Sequence, residues 1–357
     1  MRSLVLTCDP RFVPQLCAEL TQRFSSCPLR PLGSGVLLAE PSGTDAVKLW
    51  QVLQQDTPIF LRHMFPVQDE LVMQQDELAL PRLREACEPL LAQVEQESAV
   101  AVQCRLLDAT SSYRPMDVKR AIDEAVRSRG LLTTVKDPSL VLSVLIAHDR
   151  AYLGLSTPRE NLSSWNGGAA HYGKAKGALS RAAHKLEEAC EVLEVDLRGM
   201  EQALDLGAAP GGFTSFLLER GFYVTAVDTG LLDSELLAHP RLTYIQANAK
   251  TIKPQEASFD LITCDISRDA LRTADMLMDL APCLRLMGKL LLTVKFMGRE
   301  PLPLIRQCLK RLSPEFVFVR GRHLWHNREE VTLYLVREDR EGEQSGTSVG
   351  RNSRGRQ

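Results

Sequence analysis

The chain has 357 residues, enough for two or three domains with sizeable cores, and its 44% hydrophobic and 25% charged residues are typical of a globular protein. A formal net charge of −2 gives no sign that the chain as a whole binds nucleic acid through its charge. Nine scattered cysteines without a C-x-x-C pair exclude a zinc ribbon and a disulfide scaffold. No apolar run approaches the roughly 18 residues of a membrane span. We expect a soluble, cytoplasmic protein with no membrane partner and no metal.

The first half of the chain alternates between strand and helix patterns. Apolar periodicity predicts strands at 3–7, 35–39, 67–73 and 99–107, and helices at 11–24, 44–54, 81–95 and 115–129. Residues 139–147 and 150–155 predict a hairpin that turns at His148 and Asp149. Short strands mixed with helices in this way are typical of small α+β units.

Charge and composition vary along this half. Residues 67–100 hold eight acids and two arginines, whereas 105–136 hold seven basic residues and four acids. The basic stretch suits either an RNA-facing surface or an ordinary solvated face. Ser, Asn and Gly dominate 157–179, which predicts a linker, and the polar tail 339–357 is predicted to be disordered.

The second half has the pattern of an α/β domain. Strands are predicted at 202–206, 222–227, 242–246, 259–264, 289–296, 315–320 and 331–336, and helices at 180–194, 213–220, 268–286 and 301–312. Strands that alternate with helices predict a doubly wound sheet, which binds ligands at the carboxyl ends of its strands.

The most specific stretch is LDLGAAPGGFTSF, in which a predicted strand ends and a glycine turn follows. Gly207, Gly211 and Gly212 let the backbone approach a ligand before a helix begins. Asp228, at the end of the next strand, is suited to bind both hydroxyls of a ribose. The spacing is not G-x-G-x-x-G, and Pro210 is foreign to the NAD pattern. The stretch therefore favours an adenosine-bearing cofactor, S-adenosylmethionine rather than a dinucleotide; a plain tight turn is the alternative.

A lysine, Lys295, ends the stretch KLLLTVK, which otherwise has the pattern of a strand buried on both faces. A charged amine in that place costs several kcal/mol unless it is paired or close to water. Lys295 therefore either reaches out to solvent from the end of the strand or takes part in chemistry.

Taken together, the motifs resemble those of the FtsJ-type RNA ribose 2′-O-methyltransferases. SRAAHKLEEA and LDLGAAPGGF match the family's S-R-x-x-x-K-L helix and D-L-G-x-x-P-G-G turn. The family's catalytic Lys–Asp–Lys–Glu tetrad finds its candidates, in chain order, in Lys185, Asp265, Lys295 and Glu330. Glu329 is adjacent, but only one of two neighbours on a strand faces the site, and the family's E-V order favours Glu330.

The resemblance also implies which residues bind S-adenosyl-L-methionine. They are Ser180, Gly207, Ala209, Pro210, Gly211, Gly212, Phe213, Asp228, Asn248 and Asp265. Asn248 departs from the family, which commonly has an acid there that accepts from the adenine amine, and Phe213 stands where many relatives have tryptophan. An amide oxygen still accepts that hydrogen bond, so the departure bears on affinity more than on the identity of the cofactor.

The ends of the chain point to one branch of the family. The N-terminal LVLTCDPRFVPQLCAELT and the closing HNREEVTLYLVR resemble the RlmM-like branch, which methylates a ribose of 23S rRNA, and the middle resembles a THUMP RNA-binding module. The resemblance implies an α/β protein with a C-terminal Rossmann-like methyltransferase domain, whose doubly wound sheet has an antiparallel last strand, behind a smaller α+β region. The implied domains are a ferredoxin-like unit (1–60), a THUMP-like domain (61–156), the linker and a methyltransferase domain (180–338).

The chemistry explains why the tetrad needs these residue types. A ribose hydroxyl is a weak nucleophile, so a base must take its proton, and a lysine serves only if desolvation or a nearby cation keeps it neutral. Lys295 is the candidate base and Lys185 the candidate cation, while Asp265 and Glu330 orient both amines.

Three functions remain open at this point. A monomeric methyltransferase acting on 23S rRNA, either naked or in a pre-ribosomal particle, accounts for all the motifs. A methyltransferase for another RNA, a protein or a small molecule accounts for the glycine turn and Asp228 but not for the two lysines. A non-catalytic RNA-binding protein would be expected to have lost a tetrad residue, and none is missing.

Further residues have two interpretations each. Arg320, Arg322 and Arg328 flank the last two predicted strands and either contact RNA phosphates or are simply solvated. Trp165 and Tyr172, in the glycine-rich stretch, either stack on an RNA base or anchor the predicted linker.

Overall fold

The computed structural model describes residues 1–42, 45–74, 76–107, 113–172 and 181–338. These residues divide into two compact units: the first holds those up to 172 together with Arg322–Trp325, and the second holds 181–321 and 326–338. Within these ranges no helix combines the length and the apolarity that crossing a membrane requires. The predicted tail 339–357 lies outside the described residues.

The first unit begins with a four-stranded antiparallel sheet in the order β2-β3-β1-β4. Its elements are β1 (Ser3–Thr7), α1 (Val13–Arg23), β2 (Leu29–Gly33), β3 (Val36–Ala39), α2 (Asp45–Gln55) and β4 (His63–Val67). This is the predicted ferredoxin-like arrangement. β2 was not predicted, because Arg30 and Pro31 interrupt its apolar pattern. β4 lies beyond residue 60, where the sequence had ended this unit.

A second sheet of five strands follows, in the order β5-β9-β8-β6-β7. Its elements are β5 (Asp69–Val72), α3 (Ala79–Leu91), β6 (Ala99–Leu106), α4 (Pro115–Ser128), β7 (Leu132–Thr133), β8 (Leu140–Ala147) and β9 (Arg150–Ser156). β8 and β9 form the predicted hairpin, and His148 in its turn has a φ of +55°. The predicted strand 67–73 divides between the end of β4 and β5.

The two sheets of the first unit share part of their core. Val5 on β1, Leu145 on β8 and Tyr152 on β9 are each at most 1% exposed and belong to one apolar cluster. Fully burying side chains of this size contributes roughly 1.5–3 kcal/mol each. Residues 1–60 and 61–156, expected as separate domains, therefore pack as one compact unit.

The predicted linker is bound to this unit as far as residue 172. Asn161 is fully buried; its Oδ1 accepts a hydrogen bond from Ser156 at 2.6 Å, and its carbonyl accepts one from the Met64 N–H at 3.2 Å. The ring of Trp165 meets the ring of Tyr172 edge-on at 6.1 Å. A polar composition had suggested a free segment, but these polar groups bond to the strands beside them. Base stacking by the two rings stays a prediction.

The second unit is built on a seven-stranded sheet in the order β12-β11-β10-β13-β14-β16-β15. The strands are β10 (Gln202–Leu206), β11 (Tyr223–Asp228), β12 (Leu242–Gln246), β13 (Phe259–Cys264), β14 (Leu284–Lys295), β15 (Phe316–Arg322) and β16 (Glu330–Arg337). The helices are α5 (Arg181–Val192), α6 (Gly212–Glu219), α7 (Ser234–Leu237), α8 (Ala270–Leu280) and α9 (Pro301–Leu312).

The pairing in this sheet confirms the predicted fold class. The first five strands, β10 to β14, run parallel, and β16 is antiparallel to β14. The strand order reverses at β10, which lies between β11 and β13. Ligands of doubly wound sheets bind beside the carboxyl ends of the strands at such a point.

One predicted helix was too long. α8 ends at Leu280 rather than at residue 286, and β14 begins at Leu284, earlier than predicted. Pro282 explains the difference, because proline has no N–H to continue the helical hydrogen bonds. At its other end α8 is capped by Asp269, whose Oδ1 accepts from the N–H groups of Leu271 and Arg272. Short 3₁₀ helices also occur at Pro10–Phe12, Asn166–Gly168 and Ala281–Cys283.

The arginines of the last strands fall into different environments. Arg322 is only 5% exposed and donates to the Pro58 carbonyl at 2.9 Å, so both interpretations of this residue, contact with RNA phosphates and simple solvation, are wrong. Arg320 forms an ion pair with Glu194, and Arg328 is exposed.

Candidate active site

The glycine turn lies where β10 meets the end of β13. Gly207 has a φ of +81°, and a Cβ at this position would lie 2.9 Å from the Ile266 nitrogen. Gly211 has a φ of +123°, and a Cβ there would meet the side chain of Leu236. A larger residue at either place would combine backbone strain with a clash, which explains why the sequence has glycine at both.

Asp228 ends β11 and braces this turn. Its Oδ2 accepts from the Ala209 N–H at 3.0 Å and its Oδ1 from the Gly230 N–H at 2.8 Å. A carboxylate has about four acceptor sites, so each oxygen still has a lone pair for a ligand.

A cavity of about 370 Å³ opens beside the turn and the strand ends. The predicted cofactor residues among its lining are Gly207, Ala209, Asp228, Asn248 and Asp265. Of the other predicted residues in the described ranges, Pro210, Gly211, Gly212 and Phe213 do not belong to this lining, and Ser180 lies outside the described residues. The lining also includes residues that the sequence analysis missed: Val227, Thr229, Ala247, Ala249, Ile266, Ser267 and Arg268. These residues lie at or just after the ends of β11, β12 and β13. Their position at the ends of predicted strands was the signal in the sequence that could have identified them.

Asn248 contacts its own loop. Its Oδ1 accepts from the Lys250 N–H at 3.1 Å and from the Arg268 guanidinium at 3.5 Å. The predicted hydrogen bond from an adenine amine to this oxygen stays a prediction.

The four tetrad candidates meet at the carboxyl ends of the parallel strands. Lys185 Nζ lies 2.6 Å from Asp265 Oδ2 and 3.1 Å from Glu330 Oε1, whereas Lys295 Nζ lies 3.2 Å from Asp265 Oδ1 and 4.0 Å from Glu330 Oε2. Each carboxylate therefore contacts both amines, using a different oxygen for each. Lys295 and Glu330 are also direct partners in the pairing of β14 with β16. Glu329, the alternative acid, is exposed.

The two lysines differ in environment. The Lys185 side chain is 6% exposed, has both carboxylates within hydrogen-bonding distance and lies 5.4 Å from the centre of the Phe213 ring. The Lys295 side chain is 21% exposed and donates to Ser267 Oγ at 2.8 Å. Lys295 is thus neither a stray core charge nor a solvated one, because two carboxylates and a hydroxyl surround its amine.

Two further residues, missed in the sequence, support the site. Glu188 is 2% exposed, and its Oε2 accepts from the His326 N–H at 3.0 Å. The Asn327 amide donates to Glu330 Oε1 at 3.4 Å. Glu188 follows Lys185 by three positions on α5, so both project from the same helix face. Among the described residues, no group of three or more His, Cys, Asp or Glu side chains is arranged to hold a metal ion.

Asp205, on β10 beneath the turn, is fully buried. Burial raises the pKa of its carboxyl group to about 6; hydrogen bonds from Thr214 and Thr263, at 2.7 and 2.8 Å, oppose this, and the nearby charges of Asp265 and Asp228 add to it.

Comparison with known proteins identifies the family. Residues 178–295 match the model of the FtsJ-like methyltransferases. Over 366 residues the chain is 30% identical to ribosomal RNA large subunit methyltransferase M of Marinobacter nauticus, with 95% of this chain and 100% of the relative covered. The chain belongs to the ribosomal RNA large subunit methyltransferase M family. The chain is also 28% identical to the Aeromonas hydrophila member over 361 residues, with 94% of this chain and 96% of that member covered.

Among solved structures, TrmN from Thermus thermophilus aligns with 94% of this chain and 100% of its own chain. The sequence identity is 16% and the TM-score is 0.40, a weak overall likeness.

Membership of the methyltransferase M family confirms the resemblance found in the sequence. The FtsJ-like match contains Lys185, Asp265 and Lys295 and ends before Glu330, whereas the alignment with the M family extends over most of the chain. A chain of this family is a methyltransferase, and S-adenosyl-L-methionine is its methyl donor. The cavity suits that molecule, because Gly207 and Ala209 present only small side chains to it and Asp228 retains acceptors for hydroxyl groups.

A first prediction concerns Asp228. Asp228→Ala should weaken the binding of S-adenosylhomocysteine by at least about 1–2 kcal/mol, because it removes hydrogen bonds to a charged group. Asp228→Asn is the control, since it keeps acceptor capacity for the turn and loses the charge. Calorimetry measures both, with melting of the ligand-free proteins to detect a loosened turn. Unchanged binding by the alanine variant would contradict the prediction.

A second prediction concerns Asp205 and pH. The folded-state pKa is raised to about 6 from an ordinary value of 3.8, so the folded protein binds more protons than the unfolded chain between these values, and stability falls as the pH rises through this window. The Asp205→Asn variant has no carboxyl group at this position, so its stability should not show this fall with rising pH. The free energy of unfolding of the variant, relative to the wild type, should therefore rise by about 2 kcal/mol between pH 4 and pH 6. Parallel pH profiles in urea melts of the two proteins would rule out the raised pKa.

Proposed function

We propose that this protein transfers a methyl group from S-adenosyl-L-methionine to a ribose 2′-hydroxyl of 23S rRNA. The observation that carries the proposal is the contact of Lys295 with Asp265, which lines the cavity beside the glycine turn. A partly exposed amine at the rim of a cofactor cavity suits a substrate that arrives from solvent. The names of the M-family relatives support ribosomal RNA as that substrate.

The cavity residues are proposed to hold the cofactor. Asp228 binds its ribose hydroxyls, Gly207 and Ala209 leave room for it along the turn, and Asn248 lies at the adenine end. S-adenosyl-L-methionine, when bound, supplies an electrophilic methyl group on a sulfonium. Much of the rate should then come from holding the ribose oxygen in line with that methyl group.

Lys295 is the proposed general base, and its contacts differ from those of Lys185. Lys185 Nζ has carboxylate oxygens at 2.6 and 3.1 Å, and its side chain is 6% exposed. Lys295 Nζ has one carboxylate at 3.2 Å and the other at 4.0 Å, and its side chain is 21% exposed. Lys295 is therefore the amine that a substrate from solvent can reach. In its neutral form its Nζ accepts the proton of the 2′-hydroxyl as that oxygen forms its new bond to the methyl carbon.

The first unit is proposed to bind the RNA. α4 carries exposed basic side chains, among them Arg120 and Arg127, on a part of the chain that resembles a THUMP module. Basic side chains supply affinity for phosphates without reading the sequence. Residues 1–160 should therefore account for most of the affinity for RNA.

We also infer a monomer in the cytoplasm. All nine cysteines are free thiols, as expected in a reducing compartment. Deletion of the gene should remove one ribose methylation from 23S rRNA, and restoring the wild-type gene should bring it back. Unchanged methylation in the deletion strain would reject the substrate.

The base assignment predicts a specific variant pattern. Lys295→Ala and Lys295→Arg should both lower single-turnover methylation by about 10²–10⁴-fold, because arginine stays protonated and cannot accept a proton. Binding of S-adenosylhomocysteine should persist. Lys289→Arg on the same strand is the control, since Lys289 contacts the Asp196 carbonyl instead of the tetrad. An active Lys295→Arg enzyme would reject the role.

RNA binding by the first unit predicts a change in salt dependence. Replacing Arg120 and Arg127 together by alanine should lower the slope of log affinity against log salt concentration by about 2, one for each lost phosphate contact. Arg311→Ala is the control, because Arg311 lies in the second unit and pairs with Asp275 at 2.5 Å. Filter binding to rRNA fragments measures the slope, and an unchanged value in the double variant would contradict the assignment.

A further inference from the structure

The loop between β13 and α8 brings a serine to the proposed base. Ser267 Oγ accepts from Lys295 Nζ at 2.8 Å, a shorter contact than those of this amine with Asp265 at 3.2 Å and Glu330 at 4.0 Å. Ser267 also belongs to the lining of the cofactor cavity and is exposed. It therefore lies between the amine of the base and the space that holds the methyl donor.

We propose that Ser267 is a positioning residue that sets the direction of the lone pair of Lys295; this rests on the proposed role of Lys295 as the base. A neutral amine has two N–H bonds and one lone pair in a tetrahedral arrangement. Ser267 Oγ accepts one N–H at 2.8 Å, and the charge of Asp265, whose Oδ1 lies 3.2 Å away as an ion partner without a hydrogen bond, attracts the hydrogen-bearing side of the amine. The lone pair is then left facing away from both groups, available to the ribose hydroxyl.

Without Ser267 the amine is oriented by Asp265 alone at short range. The amine can then rotate about the Cε–Nζ bond among three staggered orientations. In one of them the lone pair faces the substrate, and in the other two an N–H bond does. Proton transfer requires the donor and acceptor orbitals to be aligned, so the reactive fraction of the enzyme falls.

The chemical nature of Ser267 also separates the two lysines. A hydroxyl accepts an N–H without adding negative charge, whereas a second carboxylate at the same distance would favour the ammonium form and remove the base. Lys185 Nζ has its two carboxylates at 2.6 and 3.1 Å, whereas the nearest partner of Lys295 Nζ is the Ser267 hydroxyl at 2.8 Å, ahead of Asp265 at 3.2 Å and Glu330 at 4.0 Å. The nearest partner of Lys295 thus orients its amine without adding a charge.

The ends of the loop are fixed by bonds that do not involve Ser267. The Asp265 N–H donates to the Leu206 carbonyl at 3.0 Å, and Asp269 caps α8. Substitution of an exposed side chain between these two points should leave the loop folded. The effect of removing the hydroxyl can therefore be measured in an intact protein.

The test measures single-turnover methylation of rRNA by Ser267→Ala and Ser267→Thr. Ser267→Ala should lower the rate about 10- to 100-fold, the size of effect that a misplaced reacting group produces. Ser267→Thr keeps the hydroxyl and should recover the rate to within about threefold. The affinities for S-adenosylhomocysteine and for RNA should change less than about twofold in both, because the serine acts on proton transfer and not on binding. Ser313→Ala, which removes a hydroxyl at the end of α9, should match the wild type.

A second arm asks whether Ser267 acts through Lys295. In the Lys295→Ala background, adding Ser267→Ala should lower the remaining rate no further, because effects of residues that act together are not additive. An additive loss would overturn the proposal, as would a Ser267→Ala rate within twofold of the wild type, or a Ser267→Thr rate as low as that of Ser267→Ala. If Lys295→Ala alone were fully active, the proposed base would fail too; an inactive Lys295→Ala with an active Ser267→Ala would reject only the role of Ser267.

Discussion

The sharing of the Asp265 carboxylate between two lysines is the interaction on which the site depends. One oxygen lies 2.6 Å from Lys185 and the other 3.2 Å from Lys295. Two lysine amines in one site repel each other whenever both are charged, so bringing them together requires a group that attracts each of them. Asp265 is in turn fixed by its N–H, which donates to the carbonyl of Leu206 at the end of β10. One main-chain hydrogen bond therefore links the tetrad candidates to the strand that leads into the glycine turn.

The sheet order explains why the cofactor cavity and the tetrad are adjacent. β10 lies between β11, which ends at Asp228, and β13, which precedes Asp265. Parallel strands end at the same edge, so residues that follow them meet there although the chain separates them widely. Glu330 reaches the same edge from the opposite direction, because it begins the antiparallel strand β16 and pairs with Lys295 at the end of β14.

The sequence predicted most helices and strands because their apolar periodicity is strong, and the parallel strands of the second unit match within a few residues. It failed where one residue or a tertiary contact overrode the local pattern. Pro282 ended a helix that periodicity had extended, and a polar, serine-rich segment proved to be bonded to the first unit through the buried Asn161. Arg322 gave no local sign that it would donate to a distant carbonyl.

By itself the sequence determined the family, the methyl donor and the candidate tetrad. A glycine-rich turn and charged residues in a fixed order along the chain leave signatures in the sequence that do not depend on distant contacts. The E-V order had favoured Glu330 over Glu329, but only the tertiary structure gave the distances from Glu330 to the two lysines, and only it gave the lysines different surroundings. It also brought Ser267 to the amine of Lys295. The physical reason is that these properties are distances between residues from different strand ends, and a linear pattern records the residues but not which of them meet.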